Sequence, residues 1–144
     1  MSNNTEESKV THLGFIQSII SRMAQNSFHA KTWGITIITA LITFCLSKDA
    51  YDLRDYSIMI ACVVVCLFCF VDTYYLYLER GYRELYNIVA GISESDKVIK
   101  KYDLSIPNEY RSWKNRKKAL FSWSTGGFYS IVIILLIILK VTLK

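Results

Sequence analysis

Between residues 57 and 78 the chain is apolar or aromatic except for Ser57, Thr73 and one charged residue, Asp72. An ionised carboxylate at membrane depth costs about 3 kcal/mol unless it is paired or wetted. Asp72 stands seven residues before Glu79, so about 10 Å inside the point where a helix would leave the bilayer. Helical spacing puts Asp72, Tyr75, Glu79, Tyr82 or Arg83, and Tyr86 on one face. That face is too polar to meet lipid, so it must meet protein or water. Two uses fit. It is a packing seam in which Asp72 pairs with a cation or hydroxyl of the N-terminal helix, with Arg22, His29 and Lys31 as candidates, or it lines a polar path between subunits.

Other chemistry is sparse. His12 and His29 share one amphipathic segment but lack metal spacing. Serines, threonines and aspartates form no nucleophile motif, and there is no phosphate loop. Cys45, Cys62, Cys66 and Cys69 all lie in apolar blocks, where cysteine acts as a small hydrophobe. Neither a catalytic role, a cofactor nor a metal is expected. The net charge of +5 fits lysines and arginines gathered on the cytoplasmic side of a membrane. Direct contact with nucleic acid is not expected.

The elements that position Asp72 follow from the apolar blocks. Hydrophobic residues make up 52% of the chain, with a mean hydropathy of +0.25. One proline and six glycines suit long helices. An all-α membrane protein is expected, with an N-terminal amphipathic helix and three transmembrane helices. Residues 1–9 read as a disordered polar tail. Over residues 10–30, Leu13, Ile16, Ile20, Met23 and Ser27 recur three or four apart, an amphipathic helix that either lies in the membrane interface or packs on another helix. Residues 31–48 form a short first span with Trp33 in the interfacial belt. Its threonines can bond to backbone or a neighbouring helix, so they need not mark a pore. A slightly acidic connection follows, with Asp49, Asp52 and Asp55.

Residues 57–90 read as one helix that crosses the bilayer and continues into the cytoplasm until Gly91 stops it. Residues 91–118 form a basic cytoplasmic loop, with a short helix over 93–101 and Pro107 ending whatever precedes it. Arg111, Lys114, Arg116, Lys117 and Lys118 then stand before the last span, where anionic lipid headgroups are the expected partner. Residues 119–143 form the third span. With three spans, thirteen of the seventeen lysines and arginines fall on the side of the N-terminus. The N-terminus should therefore be cytoplasmic in a bacterial inner membrane, with no cleaved signal peptide expected.

Two stretches carry a resemblance. Phe15-Ile16-Gln17, Ile19-Ile20-Ser21-Arg22-Met23-Ala24 and Asn26-Ser27-Phe28, followed by Lys31 and Trp33, make the first. Asp72, Tyr74-Tyr75-Leu76, Glu79-Arg80, Tyr82-Arg83 and Leu85-Tyr86 make the second. In this order they resemble the signatures of a widespread family of small, uncharacterised bacterial membrane proteins, similar to the transmembrane effectors of antiphage defence systems of the retron, cyclic-oligonucleotide and CRISPR-accessory kinds. The match covers about a quarter of the chain. Its polar residues are Arg22, Asn26, Lys31, Asp72, Glu79, Arg80 and Arg83. With His29 and Tyr75 they form the candidate seam or gate.

The resemblance implies an inner-membrane effector that oligomerises and permeabilises the membrane when a partner senses infection. Three spans enclose no useful pore alone, so a homo-oligomer is expected. The soluble pieces are too small for a separate sensing domain, so the trigger should be a sensor protein or ligand encoded nearby. The alternative is a non-pore anchor or regulatory subunit that docks a cytoplasmic partner. A small ion transporter using Asp72 is a third reading.

Overall fold

A computed structural model of the chain describes residues 2–47, 53–93, 100 and 102–142, with side chains from residue 6 onward. Regular structure among the described residues is helical. It comprises α1 (Ser2–Leu46), α2 (Arg54–Ala90), α3 (Trp113–Leu120) and α4 (Phe128–Thr142), with a π-helical turn at Trp123–Gly127 leading into α4. Three stretches are long and apolar enough to cross a membrane: Glu6–Leu46, Arg54–Ala90 and Trp123–Thr142.

The helix α1 differs from the sequence expectation in two ways. It is continuous from Ser2, where a disordered tail over residues 1–9 and a separate amphipathic helix over 10–30 are expected. No proline falls between Ser2 and Leu46, and glycine alone lowers helix stability by only about 1 kcal/mol. Nothing in the sequence therefore ends the first helix before the first span begins. At 45 residues the rod is about 68 Å long.

Against it lies α2, antiparallel along its length. Lys9 Nζ donates to Ala90 O at 3.4 Å, Ile16 and Ile20 pack on Leu85, and Arg54 Nε donates to Cys45 O at 3.0 Å. The expected continuation of α2 past the apolar run is present, and so is its stop. Gly91 adopts φ 78°, a left-handed conformation that glycine accepts without a Cβ penalty. Its N–H donates to Ile88 O and that of Ile92 to Asn87 O, the paired bonds of a Schellman ending.

The third span also starts later than residue 119. Ala119 belongs to the short basic helix α3, which Ser112 caps by accepting from the Asn115 N–H. The chain then turns extended at Ser122 before the π-helical turn. Ser122, Ser124, Thr125, Gly126 and Gly127 are weak helix formers that offer the backbone competing hydrogen bonds, so the helix breaks there. The expected short helix over 93–101 and most of the connection at 48–56 lie outside the described residues.

Three apolar clusters hold the helices together. In the apolar three-helix part Ile38, Ala61, Val65, Tyr129 and Leu136 unite α1, α2 and α4. Towards the other end Ile16, Ile20 and Leu85 join α1 to α2, with Tyr82, Tyr86 and Val89 around them. Leu76, Tyr77 and Ala119 seat α3 on α2. The cores are thin: 22%, 28% and 17% of the most apolar stretch of each span is buried. Phe44, Leu67, Phe70, Ile134 and Ile138 face outward, towards whatever apolar medium surrounds the bundle.

Candidate functional site

Asp72 sits between the two α1–α2 clusters and is fully buried. One turn apart on α1, Ser27 and Lys31 face it. Lys31 Nζ lies 2.7 Å from Asp72 Oδ2 and donates to Oδ1 at 2.8 Å. The Ser27 hydroxyl also donates to Oδ1 and accepts from Lys31 Nζ at 3.2 Å. Beyond the ion pair, Oδ2 takes no hydrogen bond among the described residues. The carboxylate, ammonium and hydroxyl thus form a closed cluster in which opposite charges cancel.

Local sequence accounts for the geometry. Ser27 and Lys31 are separated by four residues and so stack on one helix face. Three residues beyond Lys31, Gly34 packs against the Phe68 ring, which brings the backbones close enough for a serine to reach the carboxylate. The lysine keeps 18% of its side chain exposed while its ammonium rests on the buried carboxylate.

Of the three expected partners for Asp72, Lys31 alone is there. Arg22 and His29 are exposed, because they fall on the side of α1 away from α2. Asn26 and Tyr75 are half-buried, and Tyr75 tilts against Tyr74 with ring centroids 5.9 Å apart. The polar stripe of α2 does not act as one unit. Glu79 pairs along its own helix with Arg83 at 2.8 Å, while Arg80 donates to Lys118 O at 3.1 Å. Tyr82 and Tyr86 join the Ile16–Leu85 cluster. The basic residues Arg111, Lys114, Arg116, Lys117 and Lys118 are all exposed on or beside α3.

Two partners were not foreseen as such. Ser27 stands in the α1 stripe at apolar spacing, and its place four residues before Lys31 is the signal that could have marked it. His12 is 4% exposed and its Nε2 lies 3.0 Å from Asp103 O, with the Tyr102 ring beside it. That contact ties the start of α1 to the α2–α3 connection and has no local sequence signature. The α1 threonines bond to their own helix: Thr32, Thr36 and Thr43 each donate to the carbonyl four residues earlier.

No group of three or more histidine, cysteine or acidic side chains with metal-binding geometry occurs among the described residues. No family model, curated protein or solved structure matches this chain.

Proposed function

We propose that the chain is a small membrane effector of a bacterial antiphage defence system, which oligomerises and permeabilises the inner membrane when a partner protein or ligand reports infection. The observation that carries this reading is the charged cluster of Ser27, Lys31 and Asp72 inside an apolar helix pair. A buried ion pair adds little net stability compared with an apolar pair of similar volume, so its retention here fits a device that separates. When α1 and α2 part, the carboxylate and ammonium become polar lining for a path shared between subunits. The thin cores and outward-facing apolar side chains of all three spans leave room for other copies. The defence context comes from the resemblance of the two signature stretches. The distribution of lysine and arginine supports a cytoplasmic N-terminus.

The test is expression in a bacterial host with a potential-sensitive dye. Wild-type chains forced together by an oligomerising fusion at the N-terminus should depolarise the membrane. Asp72→Ala should change the response, and Arg22→Ala should leave the Asp72 cluster intact. An unchanged potential in cells whose membranes hold the forced oligomer would overturn the reading.

A second reading has its own observation. Val10 and Phe15 are 67% and 49% exposed on the stalk end of α1, where a cytoplasmic protein could dock. The chain would then be a non-pore anchor. A stable co-purifying partner, with no change in permeability, would decide for it.

A further inference from the structure

A cleft of about 510 Å³ lies between α2, α3 and α4. Its walls are apolar, with Val65, Cys66 and Phe70 from α2, Ile133 from α4 and Leu120 from α3. Its opposite end is different. Trp113, Arg116 and Lys117 stand there, at the level where α3 packs on Tyr77. Arg116 is held over the Tyr77 ring with its guanidinium carbon 5.5 Å from the centroid. Among the described residues neither Arg116 nor Lys117 has a carboxylate partner. A hydrophobic trench capped by two available cations and an indole fits an amphiphile with an anionic head.

Length narrows the class. From Val65 to Tyr77 the cleft follows α2 for twelve residues, about 18 Å. Half of a hydrocarbon core of about 30 Å is one leaflet, which is the depth an acyl chain occupies below its phosphate. Tyr129 adds an independent sign. It lines the same cleft, is 3% exposed, and its hydroxyl has no hydrogen-bond partner among the described residues. A buried hydroxyl of this kind ordinarily finds a partner, and an ester oxygen of a glycerolipid is one of suitable chemistry.

We infer that this cleft is a seat for one anionic glycerophospholipid of the inner leaflet, with an acyl chain between α2 and α4 and the phosphate on Arg116 and Lys117. The site is independent of the permeabilisation reading, because it requires neither oligomers nor conduction. It makes specific what the basic segment recognises: a single lipid molecule held in a defined place, beyond general attraction to a charged surface.

The test uses full-length protein in nanodiscs, with Trp113 as the sole tryptophan after Trp33→Phe and Trp123→Phe. Phosphatidylglycerol brominated on its acyl chains is titrated into a phosphatidylcholine background, and quenching of Trp113 is read. Phosphatidylglycerol should quench at much lower mole fraction than brominated phosphatidylcholine. Arg116→Ala with Lys117→Ala should reduce that preference by roughly tenfold or more, as expected for two cations near an anionic surface. Cys66→Trp would fill the cleft but add an indole, so Cys66→Phe is the blocking variant, and it should weaken quenching by both lipids. Soluble glycerophosphoglycerol should not compete, since it lacks the chain that fills the trench. Equal quenching by the two lipids, or an anionic preference that survives the double substitution, would sink the proposal. Competition by the soluble headgroup would also overturn it, pointing to a phosphate site alone. So would disulfide cross-linking between copies through Cys66 as the sole cysteine without lipid dependence, which would put a second protein chain in the cleft.

Discussion

Asp72 and Lys31 are unequal members of their pair. The carboxylate is fully buried, whereas the ammonium keeps 18% of its side chain exposed. Lys31→Met therefore strands a charge with Ser27 as its remaining donor, while Asp72→Asn leaves an ammonium able to swing towards water. We expect Lys31→Met to cost about 3–5 kcal/mol, the range for breaking a buried pair, and Asp72→Asn to cost less. Joint replacement by Met and Leu should restore most of the loss. Reversible unfolding in mixed micelles ranks the four proteins, and equal losses for the two single variants would contradict the asymmetry. Asp103 offers a second test outside the membrane. The Ser105 hydroxyl and then its N–H hold the Asp103 carboxyl below the usual carboxylate range, with Ser105 N donating to Asp103 Oδ1 at 2.9 Å. A lowered folded value means that the stabilisation is present above the ordinary carboxylate pKa and fades as pH falls through the lowered value. Protection of the Ser105 amide, measured against its intrinsic exchange rate at each pH, should fall only in that acid window, and the fall should be absent in Asp103→Asn.

At the scale of the helix, α2 owes its position to a missing side chain as much as to any contact. A Cβ on Gly81 would lie 2.9 Å from Ile106 Cγ2 and 3.1 Å from the Tyr110 ring. The α2–α3 connection thus rests directly on helix backbone. Gly81→Leu should detach it, at a cost of about 1–3 kcal/mol for forced overpacking, seen as faster proteolysis between residues 102 and 112. Unchanged protease resistance would count against this docking. Sequence periodicity made α2 legible nearly whole, including its run past the apolar block and its stop at Gly91, because apolar blocks and a terminal glycine are local signals. The partner of Asp72 was legible as a short set of candidates, and rotation about α1 selected Lys31 over Arg22 and His29. The late start of the third span was not, since Ala119 and Leu120 read as apolar continuation until the weak helix formers after them are seen to break the chain. The His12–Asp103 contact lay beyond reach for another reason: it joins residues far apart in sequence through one side chain and one carbonyl.

Across the whole molecule the two long helices extend well beyond the three-helix part, joined there by the Ile16–Ile20–Leu85 cluster. Ile20→Ala removes a side chain 4% exposed and should cost about 2–4 kcal/mol. The loss should appear as local opening of the stalk by hydrogen exchange, while amides around Val65 and Leu136 stay protected. Simultaneous loss of protection at both ends would show that the two-helix and three-helix parts unfold as one. The unbroken course of α1 also has a mechanical meaning. Lys31 stands about 44 Å from Ser2 and about 22 Å from Leu46 along one unbroken rod. The same rod is tied to α2 at Lys9, at Ile16 and Ile20, at Lys31 and at Cys45, so a load on its first turns passes without a joint to the turns that hold Asp72.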